Sequence, residues 1–257
     1  MASAKQNAIN LYMEGICDGH AREAVTKYTG DRYTQHSTGV ADGIEGFLAF
    51  FEPFLERNPV RDIRIVRALQ DGRHVFLQAY QNINDGEAEW ITTDFFDSDE
   101  NSKIIEHWDV IAPVKPQKAS GQTQWDGPTE VTDRDKTQAN KALVADFIQT
   151  CLIERQMNRL AEFISAETYI QHNPDVPDGI EHFQALASKP DNPLTYQECF
   201  MMVGEGNFVA TLNRARWDER DLCQVDLFRV EDSKIVEHWD NSELVPPRDE
   251  WANSGKF

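Results

Sequence analysis

The sequence predicts an α+β protein made of two copies of one domain, and three observations predict it. Tyr33-Thr34-Gln35-His36 and Asp42-Gly43-Ile44-Glu45-Gly46-Phe47 recur as Tyr169-Ile170-Gln171-His172 and Asp178-Gly179-Ile180-Glu181-His182-Phe183, both 136 positions later. Lys103-Ile104-Ile105-Glu106-His107-Trp108-Asp109 recurs as Lys234-Ile235-Val236-Glu237-His238-Trp239-Asp240, 131 positions later, so five residues are lost from the loops between. Within each copy, helical periodicity comes first and strand-like segments follow, which is the order of an α+β layout.

Each element has a local reason. Gln6 to Asp18 carries Ile9, Tyr12, Met13 and Ile16 at helical spacing, and Ala21 to Tyr28 continues as a second helix. In the second copy Leu143, Phe147, Ile148 and Leu152 form the corresponding stripe. Asp42 with Glu45 three residues on resembles a capping box, opening a helix that carries Phe47, Phe50, Phe51 and Phe54. Asp178 and Glu181 open its counterpart. The pattern then changes to strands over Asp62–Leu69, Val75–Asn82, Ala88–Phe96 and Lys103–Ile111, separated by Asp71-Gly72, Asp85-Gly86 and 97–102. The stretch from Pro113 to Pro128 is rich in proline, glycine and polar residues without periodicity and reads as a linker, with Trp125 expected to dock it onto a domain. The expected boundaries are residues 1–112 for the first domain, 113–135 for the linker and 136–257 for the second, with the two domains packed sheet to sheet.

Composition excludes several classes. The chain has 257 residues, 25 Lys and Arg against 44 Asp and Glu, and a formal charge of −19. Such a surface repels a phosphate backbone, so nucleic acid and anionic membrane are not expected partners. No apolar run is long enough to span a bilayer, and the first residues lack the apolar core of a secretion signal, so a cytoplasmic address is expected. Cys17, Cys151, Cys199 and Cys223 show no metal-type spacing and read as reduced thiols.

The chemistry-bearing residues gather at the end of each copy. A period of two places His107 and Asp109 on one face of a strand, with Glu106 and Trp108 on the other. His238 and Asp240 repeat the arrangement, with Trp239 opposed. Asp94 and Asp226 interrupt otherwise apolar strands, so each must be paired or line a cavity. His36 and His172 lie between helices, on a segment long enough to close over the open end of a curved sheet.

Tyr169 to Glu181 and Val225 to Asp240 resemble the SnoaL-like polyketide cyclase branch of the NTF2-like superfamily, and the resemblance extends over both repeats. It implies two cone-shaped domains, each a curved antiparallel sheet wrapped around N-terminal helices, with a deep apolar pocket. It also implies acid–base chemistry without metal or cofactor, such as aldol ring closure with a strand aspartate as acid and base. The copies depart from the pattern differently. The first has His36-Ser37-Thr38-Gly39 without the Asn-Pro of His172-Asn173-Pro174, and Asp97 stands where the second has Arg229. The second copy ends its motif in Asp240-Asn241-Ser242, yet matches over more positions.

The expected activity is therefore a cofactor-independent lyase or isomerase acting on a small hydrophobic carbonyl compound. Asp240 or Asp109 would be the base, and His172 or His36, with Tyr169 or Tyr33, would donate to the carbonyl oxygen. His238 with Asp226, or His107 with Asp94, would orient the base. No metal site is expected from these residues. The competing readings are a non-catalytic protein that binds a small apolar ligand, and a pseudo-dimer in which one domain is structural. Pairing of the two domains within the chain, with further homo-oligomerisation left open, completes the expectation.

Overall fold

Ser3 starts the first helix, its hydroxyl accepting the Gln6 amide, and α1 (Ala4–Tyr12) runs directly into a π-helical turn over Met13–Cys17. The residues it buries are Ala4, Ala8, Leu11, Tyr12 and Ile16, while Ile9 and Met13 of the expected stripe are only partly covered. Small alanines let the helix lie close to the sheet, and the wide turn rotates Ile16 back towards the core. The same device recurs in the second copy, where α4 (Thr137–Phe147) passes into a π turn at Ile148–Ile153. The computed structural model describes residues 2–116 and 118–257.

After α2 (Ala21–Tyr28) comes β1 (Thr29–Gln35), then α3 (Gly43–Arg57). Four long strands follow: β2 (Arg61–Asp71), β3 (His74–Ile83), β4 (Ala88–Ser98) and β5 (Ile104–Pro113). The second copy has α5 (Leu160–Phe163), β6 (Ile170–Gln171), α6 (Ile180–Ala187), β7 (Leu194–Glu205), β8 (Phe208–Trp217), β9 (Arg220–Glu231) and β10 (Lys234–Leu244). The sheets have equivalent orders, β1-β5-β4-β3-β2 and β6-β10-β9-β8-β7.

Two local expectations are corrected here. The Tyr-x-Gln-His segments do not simply bridge helices, because their first residues pair in parallel with the last strand, Gln35 opposite His107 and Gln171 opposite His238. Pairing there satisfies a sheet edge that would otherwise present bare N–H and C=O groups. Asp42 sits at the N-cap of α3, yet its carboxylate makes no cap bond and instead accepts the Gln35 amide at 2.8 Å. Asp178 does the same for Gln171 at 2.8 Å, and Gly179 occupies the N-cap of α6. These aspartates pin the strand end that carries the glutamine, seven residues back in the chain.

The chain divides into two compact units, Met1–Pro113 with Val245–Phe257, and Val114–Leu244. In the first, Leu11, Val25, Phe47, Leu77 and Phe96 belong to a core between helices and sheet. In the second, Val144, Phe147, Ile164, Val209 and Phe228 do. The segment after β10, read from the sequence as part of the second domain, packs on the first unit. Ala252 N–H donates to Thr38 O at 2.8 Å, and the Asn253 amide donates to Ser37 O and Val40 O. The stretch after β5 packs on the second unit in the same manner. Ala119 N–H donates to Pro174 O, the Ser120 hydroxyl to Gln171 O, and the Trp239 indole to Asp126 O at 3.0 Å. Trp125, expected to dock this stretch, is half-buried.

Gly127 shows how closely that segment lies. Its φ is +92°, and an added Cβ would come within 2.7 Å of Glu237 Oε1 and 3.1 Å of the Trp239 ring. Gly127→Ala is therefore expected to destabilise the protein by more than about 1 kcal/mol in urea denaturation. No disulfide joins the cysteines among the described residues, and Cys151 and Cys223 are buried.

Candidate functional sites

Each unit holds a cavity at the face where its last strand, its preceding strand and its first helices converge. The first, about 290 Å³, is walled mainly by aromatic side chains, among them Phe47, Phe51, Phe54, Trp90 and Phe96. The second, about 270 Å³, mixes Phe147, Phe183, Phe228 and Leu186 with polar groups such as Arg155 and Gln224. Exposed apolar residues stand at both linings, Phe50 and Ile111 in the first, Leu186 and Trp217 in the second. An apolar molecule entering either cavity sheds water from its body and meets hydrogen-bonding groups only in part of the wall.

Strand alternation builds that polar wall. In β5, His107 and Asp109 line the first cavity; in β10, His238 and Asp240 line the second. The antiparallel register sets Asp94 of β4 opposite Asp109, and Asp226 of β9 opposite Asp240. Each cavity therefore contains a cross-strand pair of aspartates, a placement that ordinarily destabilises unless charge is compensated. The two units compensate it differently.

The histidine next to each pair is fixed by a glutamine. Gln171 Oε1 lies 3.1 Å from His238 Nδ1 and accepts the Asn173 amide at 3.3 Å, while its Nε2 donates to the Tyr169 hydroxyl at 3.3 Å. With the amide so oriented, His238 Nδ1 is the donor, and Nε2 faces Asp226 Oδ1 at 2.9 Å. Gln35 Oε1 stands 2.9 Å from His107 Nδ1, and His107 Nε2 lies 3.0 Å from Asp94 Oδ1. Neither glutamine is among the residues singled out from the sequence, although their position beside His36 and His172 was visible; only reading the segment as a strand turns them towards the cavity.

In the second unit Asp226 is buried and engaged on all sides. Tyr196 O–H donates to it at 3.0 Å, Asn213 Nδ2 at 2.8 Å and Gln224 Nε2 at 3.2 Å. Asp240 keeps one hydrogen bond, from Asn173 Nδ2 at 2.6 Å. Burial, with Asp226 adding to it against the opposing His238, raises the Asp240 carboxyl above its ordinary value. Its surface is partly accessible, so a ligand in the cavity can reach it. Burial likewise holds the Tyr169 phenol well above its normal range, keeping it a neutral donor.

In the first unit the balance is reversed. Burial raises Asp109, but Lys256 and His107 outweigh it and bring the carboxyl below its ordinary value. Lys256 Nζ donates to Asp109 Oδ1 at 2.8 Å and also to the Asp109 carbonyl, and is itself fully buried. Asp94 is raised, chiefly by burial, with His107 opposing and Asp109 adding. Its Oδ2 is buried without a hydrogen-bond partner. The Tyr33 phenol is pushed far up by burial as well.

His36 and His172 do not line the cavities, which corrects their expected role as donors to a carbonyl oxygen. Because Gln35 and Gln171 face inward, the following residue faces the other way. His36 stacks on Trp108 with ring centroids 4.3 Å apart, and its Nδ1 meets Gly255 O at 2.7 Å. His172 stacks on Trp239 at 4.5 Å, and its Nε2 meets Glu237 Oε1 at 2.8 Å. Each histidine thus packs on the outer face of the last strand and meets a carbonyl of the segment laid over it, Gly255 O for His36 and Thr123 O for His172. Tyr33 and Tyr169 do line the cavities, as do Asp94 and Asp226.

Solved structures to which the chain is similar include proteins described as a ketosteroid isomerase, a SnoaL-like polyketide cyclase and an NTF2-like protein. A candidate ketosteroid isomerase from Kribbella flavida matches at 15% identity and TM-score 0.38, over 44% of this chain and 84% of its own. A candidate SnoaL-like polyketide cyclase from Jannaschia sp. matches at 20% identity and TM-score 0.36, over 42% and 84%. An NTF2-like protein of unknown function from Cytophaga hutchinsonii matches at 16% identity and TM-score 0.36, over 46% and 95%. Scans against protein-family models and against curated proteins returned no match. No helix among the described residues is long and apolar enough to cross a membrane.

Proposed function

We propose that the second cavity moves a carbon-bound proton on a small hydrophobic carbonyl compound, as a cofactor-independent isomerase or lyase. The observation that carries this reading is Asp240: a carboxyl lifted by burial, held by the Asn173 amide, and facing a cavity with a partly apolar wall beside a neutral phenol. Such a carboxylate is a stronger base than one in water, and general acid–base catalysis of this kind supplies roughly 10²–10⁴-fold in rate.

Asp240 takes a proton from the carbon next to the carbonyl. The electron pair moves onto the carbonyl oxygen, where the Tyr169 O–H stabilises the developing charge. The enolate then takes its proton back from Asp240 at another carbon, or its carbon attacks a second carbonyl of the same molecule to close a ring, the alkoxide so formed taking the proton from Asp240. His238 and Asp226, locked by Gln171, Tyr196 and Asn213, hold the neighbouring charge in place.

The test needs no knowledge of the natural substrate. 2-Tetralone and a small set of other apolar ketones are incubated with the protein in D₂O, and loss of α-proton signal is followed by NMR. Exchange faster than buffer is expected. Exchange at the buffer rate for every ketone, with binding retained, would replace this reading by that of a ligand-binding protein.

A further inference from the structure

The two cavities carry matching residues, yet among the described residues a lysine is built into the aspartate pair of the first and not of the second. That cation comes from outside the repeat: Lys256 lies on Val245–Phe257, which follows β10, and it sits 147 residues from its partner in the chain. The segment is tightly placed. Ala252 and Asn253 bond the loop after β1, Gly255 O meets His36 Nδ1 at 2.7 Å, and Gly255 has φ +102° with the Trp251 ring against the site of any Cβ. The corresponding segment of the second unit delivers Lys115 instead. That side chain is half-exposed and pairs with Asp175 at 3.0 Å rather than with Asp240.

We propose that Lys256 is a positioning residue of the first cavity, holding the Asp109 carboxylate as a fixed charge and so reserving proton transfer for Asp240. The inference rests on the proposed acid–base reading for what it means to withdraw a base, while the ion pair itself stands on geometry. Around Asp109 the other titratable groups are His107 on its own strand, Asp94 opposite on β4, Tyr33 on β1 and Tyr12 on α1. Lys256 is the ammonium that bonds Asp109 directly. Of these groups, Asp94 opposes ionisation of Asp109, whereas His107 favours it, as Lys256 does. An opposite charge at hydrogen-bonding distance ordinarily moves a carboxylate by about 1–3 pH units.

The experiment is a site-resolved carboxyl ¹³C titration of the full chain, assigned with Asp109→Asn and Asp240→Asn. In the wild-type protein Asp109 is expected to titrate below the usual aspartate midpoint and Asp240 above it. In Lys256→Met the Asp109 midpoint moves up by at least about one pH unit, Asp240 stays where it was, and Lys256→Arg keeps Asp109 low. An Asp109 midpoint that is the same in Lys256→Met and wild type overturns the proposal. Should Lys256→Met not fold, the wild-type titration decides: Asp109 titrating at or above Asp240 overturns it, and Asp109 well below Asp240 supports it. The readout involves no turnover, so absence of ketone exchange would remove the reading of the second cavity without touching this result.

Discussion

Asp240→Asn is expected to slow α-proton exchange by roughly 10²–10⁴-fold while leaving the fold intact. Asparagine keeps the shape and can still accept from Asn173 Nδ2, so the cavity wall is preserved, but it cannot take a proton. Asp109→Asn should leave exchange nearly unchanged, because Asp109 is already committed to Lys256. The same substitution carries a stability signature of opposite sign. The folded-state carboxyl of Asp240 is raised above its unfolded value. Its contribution to stability is therefore fully present below the unfolded pKa, about 3.9, and is lost as pH rises through the folded value. At neutral pH the wild-type protein bears the penalty of a buried charge that Asp240→Asn lacks. The variant should melt higher than wild type at pH 7 to 8, and the gap should close towards acid pH. Thermal melts at several pH values check the sign.

The second large effect is expected at Arg229. Its Nε donates to Glu237 Oε2 at 2.6 Å, and the other carboxylate oxygen meets His172 Nε2 at 2.8 Å. Glu237 is 1% exposed, so its charge has little recourse to water. Removing one partner of a buried ion pair typically costs about 3–5 kcal/mol, since the remaining charge stays in place without compensation. Arg229→Met should lose stability on that scale in urea denaturation, and adding Glu237→Gln should recover most of it, because the neutral amide leaves no uncompensated buried charge and can still hydrogen-bond with His172. A single-variant loss below about 1 kcal/mol would mean that the pair is compensated by solvent. The first unit shows why the repeats diverged here. Asp97 faces Glu106 across the strands in the place of Arg229 and Glu237, and those acids are paired instead with Arg73 and Arg32.

Much of this was legible in the sequence for identifiable reasons. Duplication showed because the two motifs recur in the same order, and strand alternation alone placed His107 with Asp109 and His238 with Asp240. An aspartate in an apolar strand has few options, so Asp94 and Asp226 were recognisable as paired or cavity-lining. Three things were hidden. The inward role expected of His36 and His172 fails because a segment between helices gives no sign that part of it will pair with a strand far along the chain, and that pairing decides which residue faces inward. Asp42 looked like a cap because its spacing to Glu45 is that of a capping box, yet the nearer unsatisfied donor was the Gln35 amide. Lys256 belonged to no motif at all. Its role exists only because Val245–Phe257 packs on the first unit, and periodicity carries no information on where an aperiodic segment lies.

The pH dependence of ketone exchange tests the central claim most directly. Rates for 2-tetralone, measured between pH 4 and 9 in wild type, Asp240→Asn and Asp109→Asn, should rise along one ascending limb in wild type and in Asp109→Asn. The midpoint should lie above the usual aspartate value, and the limb should vanish in Asp240→Asn. A limb that survives in Asp240→Asn, or one that disappears in Asp109→Asn alone, would contradict the assignment of the base to the second cavity.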